Sequence, residues 1–186
     1  MSRTMRFACA FAFAIAITAA AQAGITQWSP QWTDTSGLNQ AASGWQWSAA
    51  TLDWNVWESY VAPAPDAVAF GASGSADTDP TIHITKTVTN GSTFDWTSYQ
   101  IVVTGSAGVG YVPGSATSDK FATVGEVGNT ITYTAPLSVL QGQSVTFNFD
   151  VTIPAGLFSF NIQQTPAPEP TSFALLGLAA AFLRRR

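Results

Sequence analysis

One histidine, ten carboxylates in the central part of the chain, seven tryptophans and a single cysteine are the residues here that could do chemistry. His83 is the sole histidine, so a Ser-His-Asp arrangement would have to use it. It lies on the threonine side of an alternating run and reads as an exposed strand residue. "GASGS" at residues 71–75 only approximates the G-x-S-x-G elbow of a nucleophilic serine and reads as loop. Transition metals draw on His and Cys, which are almost absent. Asp77 and Asp79, two apart in "ADTDP", are the one candidate pair for calcium, short of the six or more oxygens that ion collects. A carboxylate pair for glycoside hydrolysis would need Arg, Lys or His nearby for positioning, and the body has very few. These residues point away from an enzyme and call for no cofactor.

The tryptophans suggest different chemistry. Flat indole faces stack on sugars, and the ring N–H donates a hydrogen bond. Trp45 with Trp47, or Trp54 with Trp57, would make a carbohydrate platform. The competing use is core packing, since a small domain without disulfides needs large buried side chains.

Those residues sit in a chain of 186 with only 10% charged residues and 12% aromatics, a composition suited to β-structure. All five arginines lie near the two ends. Between Gly24 and Ala167, Lys86 and Lys120 face ten acids, leaving that stretch at −8. So acidic a body has no footprint for nucleic acid and is repelled by anionic membrane surfaces.

Residues 67–164 carry the clearest elements. In "TIHITKTVT" (81–89), Ile82, Ile84, Lys86 and Val88 share one face and the threonines with His83 share the other. "SYQIVVT" (98–104), "TITYT" (130–134), "SVTFNFDVTIP" (144–154) and "LFSFNIQ" (157–163) alternate in the same way. Turn residues separate them, as in "TNGS", "VPGS" and "QGQ". Strictly alternating short strands predict an antiparallel β-sandwich with one dry and one wet face per sheet. Lys86, on an otherwise apolar face, predicts a bulge, a strand end or an edge position. Residues 24–60, rich in tryptophan, read as one or two strands with loops. The body is thus one domain over 24–165, in an all-β fold flanked by an N-terminal signal helix and a short C-terminal hydrophobic helix.

The N-terminal residues 1–23 have the form of a secretory signal: Arg3 and Arg6, an apolar run, then Ala21 and Ala23 before a cleavage at Gly24. Cys9 would leave with it, so no disulfide is expected in the mature protein. The C-terminal "PEPTSFALLGLAAAFLRRR" (168–186) places a twelve-residue apolar stretch before three arginines. As a helix that stretch spans roughly 18 Å, short of the roughly 30 Å of a bilayer core. Arginines at its end favour the cytoplasmic side. An apolar tail between an exported motif and a basic stop follows the logic of a removable sorting signal.

That tail resembles the PEP-CTERM sorting signal of bacterial surface proteins. The resemblance implies that Pro168, Glu169 and Pro170 are the recognition motif and Arg184, Arg185 and Arg186 the cytoplasmic stop. It implies as partner an exosortase, a membrane protease of the cysteine transpeptidase kind, in an exopolysaccharide-producing Gram-negative bacterium. It also implies transit across the inner membrane, transient anchoring, and a surface or extracellular destination linked to matrix, biofilm and exopolysaccharide. Separately, residues 84–103 and 140–154 resemble strands of secreted immunoglobulin-like or fibronectin-like modules, which implies a sandwich and names no ligand.

Overall fold

The structure, a computed structural model, describes residues 24–33, 40–47, 51–61 and 68–167. Every regular element among them is a strand. The two terminal helices expected from sequence, the signal cleavage residues Ala21 and Ala23, and the tail from Pro168 to Arg186 lie outside the described residues.

Among the described residues, twelve strands form two six-stranded sheets. The first runs β1 (Ile25–Thr33), β4 (Val68–Ala76), β12 (Gly156–Ala167), β6 (Trp96–Gly105), β10 (Thr130–Val139), β9 (Thr123–Val127), and all its pairings are antiparallel. The second runs β2 (Gln40–Trp47), β3 (Thr51–Tyr60), β5 (Thr81–Asn90), β11 (Ser144–Thr152), β7 (Gly110–Tyr111), with β8 (Thr117–Ser118) also pairing β11. Its β3–β5 pair is parallel, because the chain leaves this sheet after β3, forms β4 in the other sheet and returns as β5. The rest of the second sheet is antiparallel.

The alternation in the sequence becomes the two faces of each sheet. Val145, Phe147, Phe149 and Val151 of β11 are buried, and so are Ile82, Ile84 and Val88 of β5. From the first sheet Tyr99, Ile101, Val103, Phe158, Phe160 and Ile162 join them in one core. Aromatic rings bridge the sheets: Tyr99 stacks on Phe147 at 4.5 Å, Tyr133 meets Phe147 at 4.7 Å, and Trp28 meets Trp54 edge-on at 5.1 Å. Such contacts add to the burial of apolar surface that drives the packing.

Turn chemistry closes the strands as the sequence requires. Ser115 N–H donates to Val112 C=O across Pro113 and Gly114, and Gly114 takes φ +81°, the geometry of a type II turn. At the end of β5, Asn90 is fully buried. Its Nδ2 donates to Phe94 C=O and Val139 C=O, and its Oδ1 accepts from the backbone N–H and hydroxyl of Ser92. The Trp96 indole donates in turn to the Ser92 hydroxyl at 3.0 Å. A buried amide with its donors and acceptors used pins the corner without leaving an unpaired polar group.

Three expectations need correction. The tryptophan-rich segment supplies three strands, β1, β2 and β3, where one or two were expected. "GASGS" is no loop: it lies inside β4, paired on one side with β1 and on the other with β12. Its small residues hide the strand pattern, yet they allow close approach. A Cβ on Gly71 would lie 2.0 Å from the Phe160 carbonyl oxygen. Lys86 sits at neither bulge, strand end nor edge. It is in the middle of β5, between β3 and β11 in continuous register, and is fully buried. A strand position that faces the core can hold a lysine when another strand brings it a carboxylate.

Candidate functional site

Two polar groupings share the same strands and differ only in which side of the second sheet they occupy. Odd-numbered residues of β3 and β5 and even-numbered residues of β11 face outward. Register aligns them in rows: Asp53, His83 and Asp150; then Asn55, Thr85 and Asn148; then Trp57, Thr87 and Thr146. Neighbouring side chains pair across the strands. His83 Nδ1 and Asp150 Oδ1 are 2.6 Å apart, Thr85 donates to Asn148 Oδ1 at 3.0 Å, and the Thr89 and Ser144 hydroxyls meet at 2.8 Å. Cross-strand pairs of this kind stabilise a sheet locally. Asp53 and Asp150 lie on either side of His83, and Asp150 is engaged with that ring.

Trp54 and Trp57, one of the two pairs proposed as a platform, do not share a surface. Trp54 points inward and is 1% exposed, among Trp28, Phe70 and Phe160. Trp57, three residues on, points outward and is 50% exposed. Trp45 is opposite Trp54 in the register, hence on the inner side of the edge strand β2, where it is 45% exposed. The backbone of Trp47 pairs with that of Leu52. Trp57 has a distinctive seat. A Cβ built on Gly44 would lie 3.6 Å from its ring, so the indole rests over the glycine of the neighbouring strand. Its surroundings in the rows are hydroxyls and carboxamides.

Inward-facing residues of the same strands make the second grouping. Glu58 of β3 and Lys86 of β5 are both buried, with Lys86 Nζ 2.5 Å from Glu58 Oε2. Gln164, reaching in from β12 of the other sheet, donates from Nε2 to the same Glu58 oxygen at 2.5 Å. Tyr99 of β6 donates its hydroxyl to Gln164 Oε1 at 2.7 Å. The rings of Phe70 and Trp32 cover the amine, with centroids 4.5 and 5.4 Å from Nζ. Glu58 Oε1 is buried without a hydrogen-bond partner. Burial holds the Lys86 amine below the usual lysine range, and Glu58 opposes that shift without reversing it. Burial, with the nearby Glu58 carboxylate, raises the Tyr99 hydroxyl well above the ordinary tyrosine range. Sequence reasoning found Lys86 as an anomaly on its face but missed Glu58 and Gln164. Alternation alone places both inward, Glu58 on the same face as Lys86 and Gln164 across the core from it; that was the available signal.

The remaining candidates are dispersed. Asp77 and Asp79 are exposed, and Asp79 Oδ1 accepts from the Ala155 N–H at 2.6 Å, holding the turn between β11 and β12. Among the described residues no three His, Cys, Asp or Glu side chains converge as metal ligands. Gly24 opens the described chain at φ +71°, and its carbonyl accepts from the Asp77 N–H at 2.5 Å. A cleft of about 130 Å³ lies between the edge strands β1 and β2, lined by Pro30, Gln31, Trp32, Ala42, Ser43 and Trp54 and by no titratable group.

Residues 166–186 match the PEP-CTERM protein-sorting motif. The match supports recognition by an exosortase, a membrane protein, and implies export, transient membrane anchoring and a cell-surface or extracellular destination. No curated protein and no solved structure gives a significant match to the chain.

Proposed function

We propose that this chain, delivered to the cell surface through its PEP-CTERM motif, works there as a non-enzymatic component of the extracellular matrix. Residues 1–23 start its export as a cleaved signal, in a Gram-negative bacterium that makes exopolysaccharide. The exosortase processes the tail near Pro168, Glu169 and Pro170, with Arg184, Arg185 and Arg186 as the cytoplasmic stop. The observation that carries this reading is the sorting motif at 166–186. The body supports it by its build: the outer polar residues of the second sheet are tied to one another across strands, and the cleft between β1 and β2 is lined without acid or base. Deleting residues 168–186 and fractionating the cells tests it. The truncated protein should leave the surface fraction; an unchanged distribution would sink the sorting route.

A second reading is a carbohydrate-binding face. It rests on Trp57, half exposed over Gly44, with Thr87 beside it on β5 and Asn55 two residues before it on the same face of β3. A sugar ring would stack on the indole while its hydroxyls reach the Asn55 carboxamide and the Thr87 hydroxyl. On this reading exopolysaccharide is the ligand, and Trp57→Ala should abolish retention on the cell's own polysaccharide. Equal retention of variant and parent removes this face from consideration.

A further inference from the structure

An amine, a carboxamide, a carboxyl group and a phenol meet in the core with water excluded. Those are the parts needed to make an amide bond between side chains. Amide formation from a lysine requires a neutral amine, a carbonyl polarised by a donor, a group that moves a proton from the attacking nitrogen to the leaving one, and no competing water. Lys86 supplies the amine, and burial favours its neutral form. Gln164 supplies the carboxamide, with Oε1 held by the Tyr99 hydroxyl. Glu58 Oε2 contacts both nitrogens at 2.5 Å, so they are separated by no more than twice that distance. Lys86, Tyr99 and Gln164 have no exposed surface.

We propose that Lys86 and Gln164 become joined by an amide bond formed within the folded protein, with Glu58 carrying the proton and Tyr99 polarising the carbonyl. The ammonium of Lys86 first yields a proton to Glu58. The Nζ lone pair then attacks Gln164 Cδ, forming the Nζ–Cδ bond and moving the carbonyl electron pair onto Oε1, where the Tyr99 hydroxyl stabilises it. Glu58 gives its proton to Nε2 and takes one from Nζ. The carbonyl re-forms, the Cδ–Nε2 bond breaks, and ammonia departs. Glu58 ends protonated, as it was before the attack, and nothing is oxidised or reduced. Fixed proximity in the core supplies the effective concentration that free lysine and glutamine lack.

The bond would tie β5 of one sheet to β12 of the other. This sequence contains one cysteine, Cys9, so an intrachain disulfide has no means to do the same. Gln164 lies two residues before the start of the sorting motif. A pull on a C-terminal attachment would therefore enter the sandwich through β12 and meet a covalent tie. This mechanical consequence rests on the surface reading above; the bond itself does not.

Mass spectrometry of the full chain, confirmed folded by near-ultraviolet circular dichroism and then denatured and digested, tests the proposal. The expected result is a branched peptide holding Lys86 and Gln164, one ammonia lighter than its two arms, and absent from Lys86→Arg. Separate, unmodified peptides from the folded protein would overturn it. A branch between Lys86 and Glu58, lighter by one water, would overturn the assignment to Gln164. Glu58→Gln should fold without forming the branch; if it does not fold, Glu58→Asp should form it more slowly than the parent during refolding. A branch that forms at the parental rate in either variant removes Glu58 from the mechanism. These readings need no cell sorting, so their failure leaves the surface reading untouched.

Discussion

On β3, Trp57 and Glu58 are neighbours with exchanged roles: the tryptophan is half exposed and the glutamate is buried. The outer face of the second sheet is polar, paired and wet. The inner grouping of Glu58, Lys86 and Gln164 is equally polar and dry. Both are built from cross-strand register, yet their energetics differ in kind. Exposed pairs lose little solvation and gain little. Buried charges lose much solvation, and depend on each partner being present and well placed. Polarity on a strand thus says little by itself; the side of the sheet decides what it costs.

The sharpest way to break the comparison is Glu58→Ala. Leaving the Lys86 amine in the core without its carboxylate should cost about 3–5 kcal/mol, read as a lowered urea midpoint or loss of the folded state. Replacing both partners, Glu58→Leu with Lys86→Met, should recover most of that loss. A double variant no more stable than Glu58→Ala would show that the pair is worth more than apolar packing.

Alkaline titration probes the buried side next. Tyr99 and Tyr133, both buried, have hydroxyls raised above the ordinary value of 10.0. The folded protein keeps these protons while the unfolded chain releases them, so stability is complete below pH 10 and falls above it. Lys86 works oppositely. Its amine lies below the ordinary 10.5, so the unfolded chain holds the extra proton and stability rises as pH climbs towards 10.5. Melting temperatures across this range should fall steeply past 10.5. If Lys86 is already an amide, the preceding rise is missing.

The two tryptophans of β3 give the third contrast. Trp54→Ala removes a ring in contact with Phe70 and Phe160 and should cost about 3–5 kcal/mol. Trp57→Ala should cost no more than about 0.5 kcal/mol. Equal costs in chemical denaturation would mean that Trp57 on Gly44 is a packing residue, not a free face. Comparably small is the effect of His83→Ala, whose part-exposed pair with Asp150 should be worth about 1 kcal/mol or less. A larger loss would assign that row a structural weight comparable to the core.

Legibility followed the same division. Strands β5, β6, β10, β11 and β12 were readable because alternation is a property of neighbouring residues, and β11 shows it without interruption. β4 was not readable, since Gly71, Ala72, Ser73 and Gly74 carry no apolar alternation and the strand is secured by its neighbours on both sides. The tryptophans could be found but not assigned a side, because a spacing of three on β3 sends Trp54 and Trp57 to opposite faces.

The sequence by itself determined the β-rich class, the dry faces of the alternating strands and the sorting motif at 166–186, all of them written in contiguous residues. Only the tertiary structure decided what Lys86 is for. Its carboxylate is 28 positions away, and the glutamine sharing that carboxylate is 106 positions from Glu58. Residues so far apart have no local pattern in common; strand order and the stacking of two sheets bring them to one oxygen.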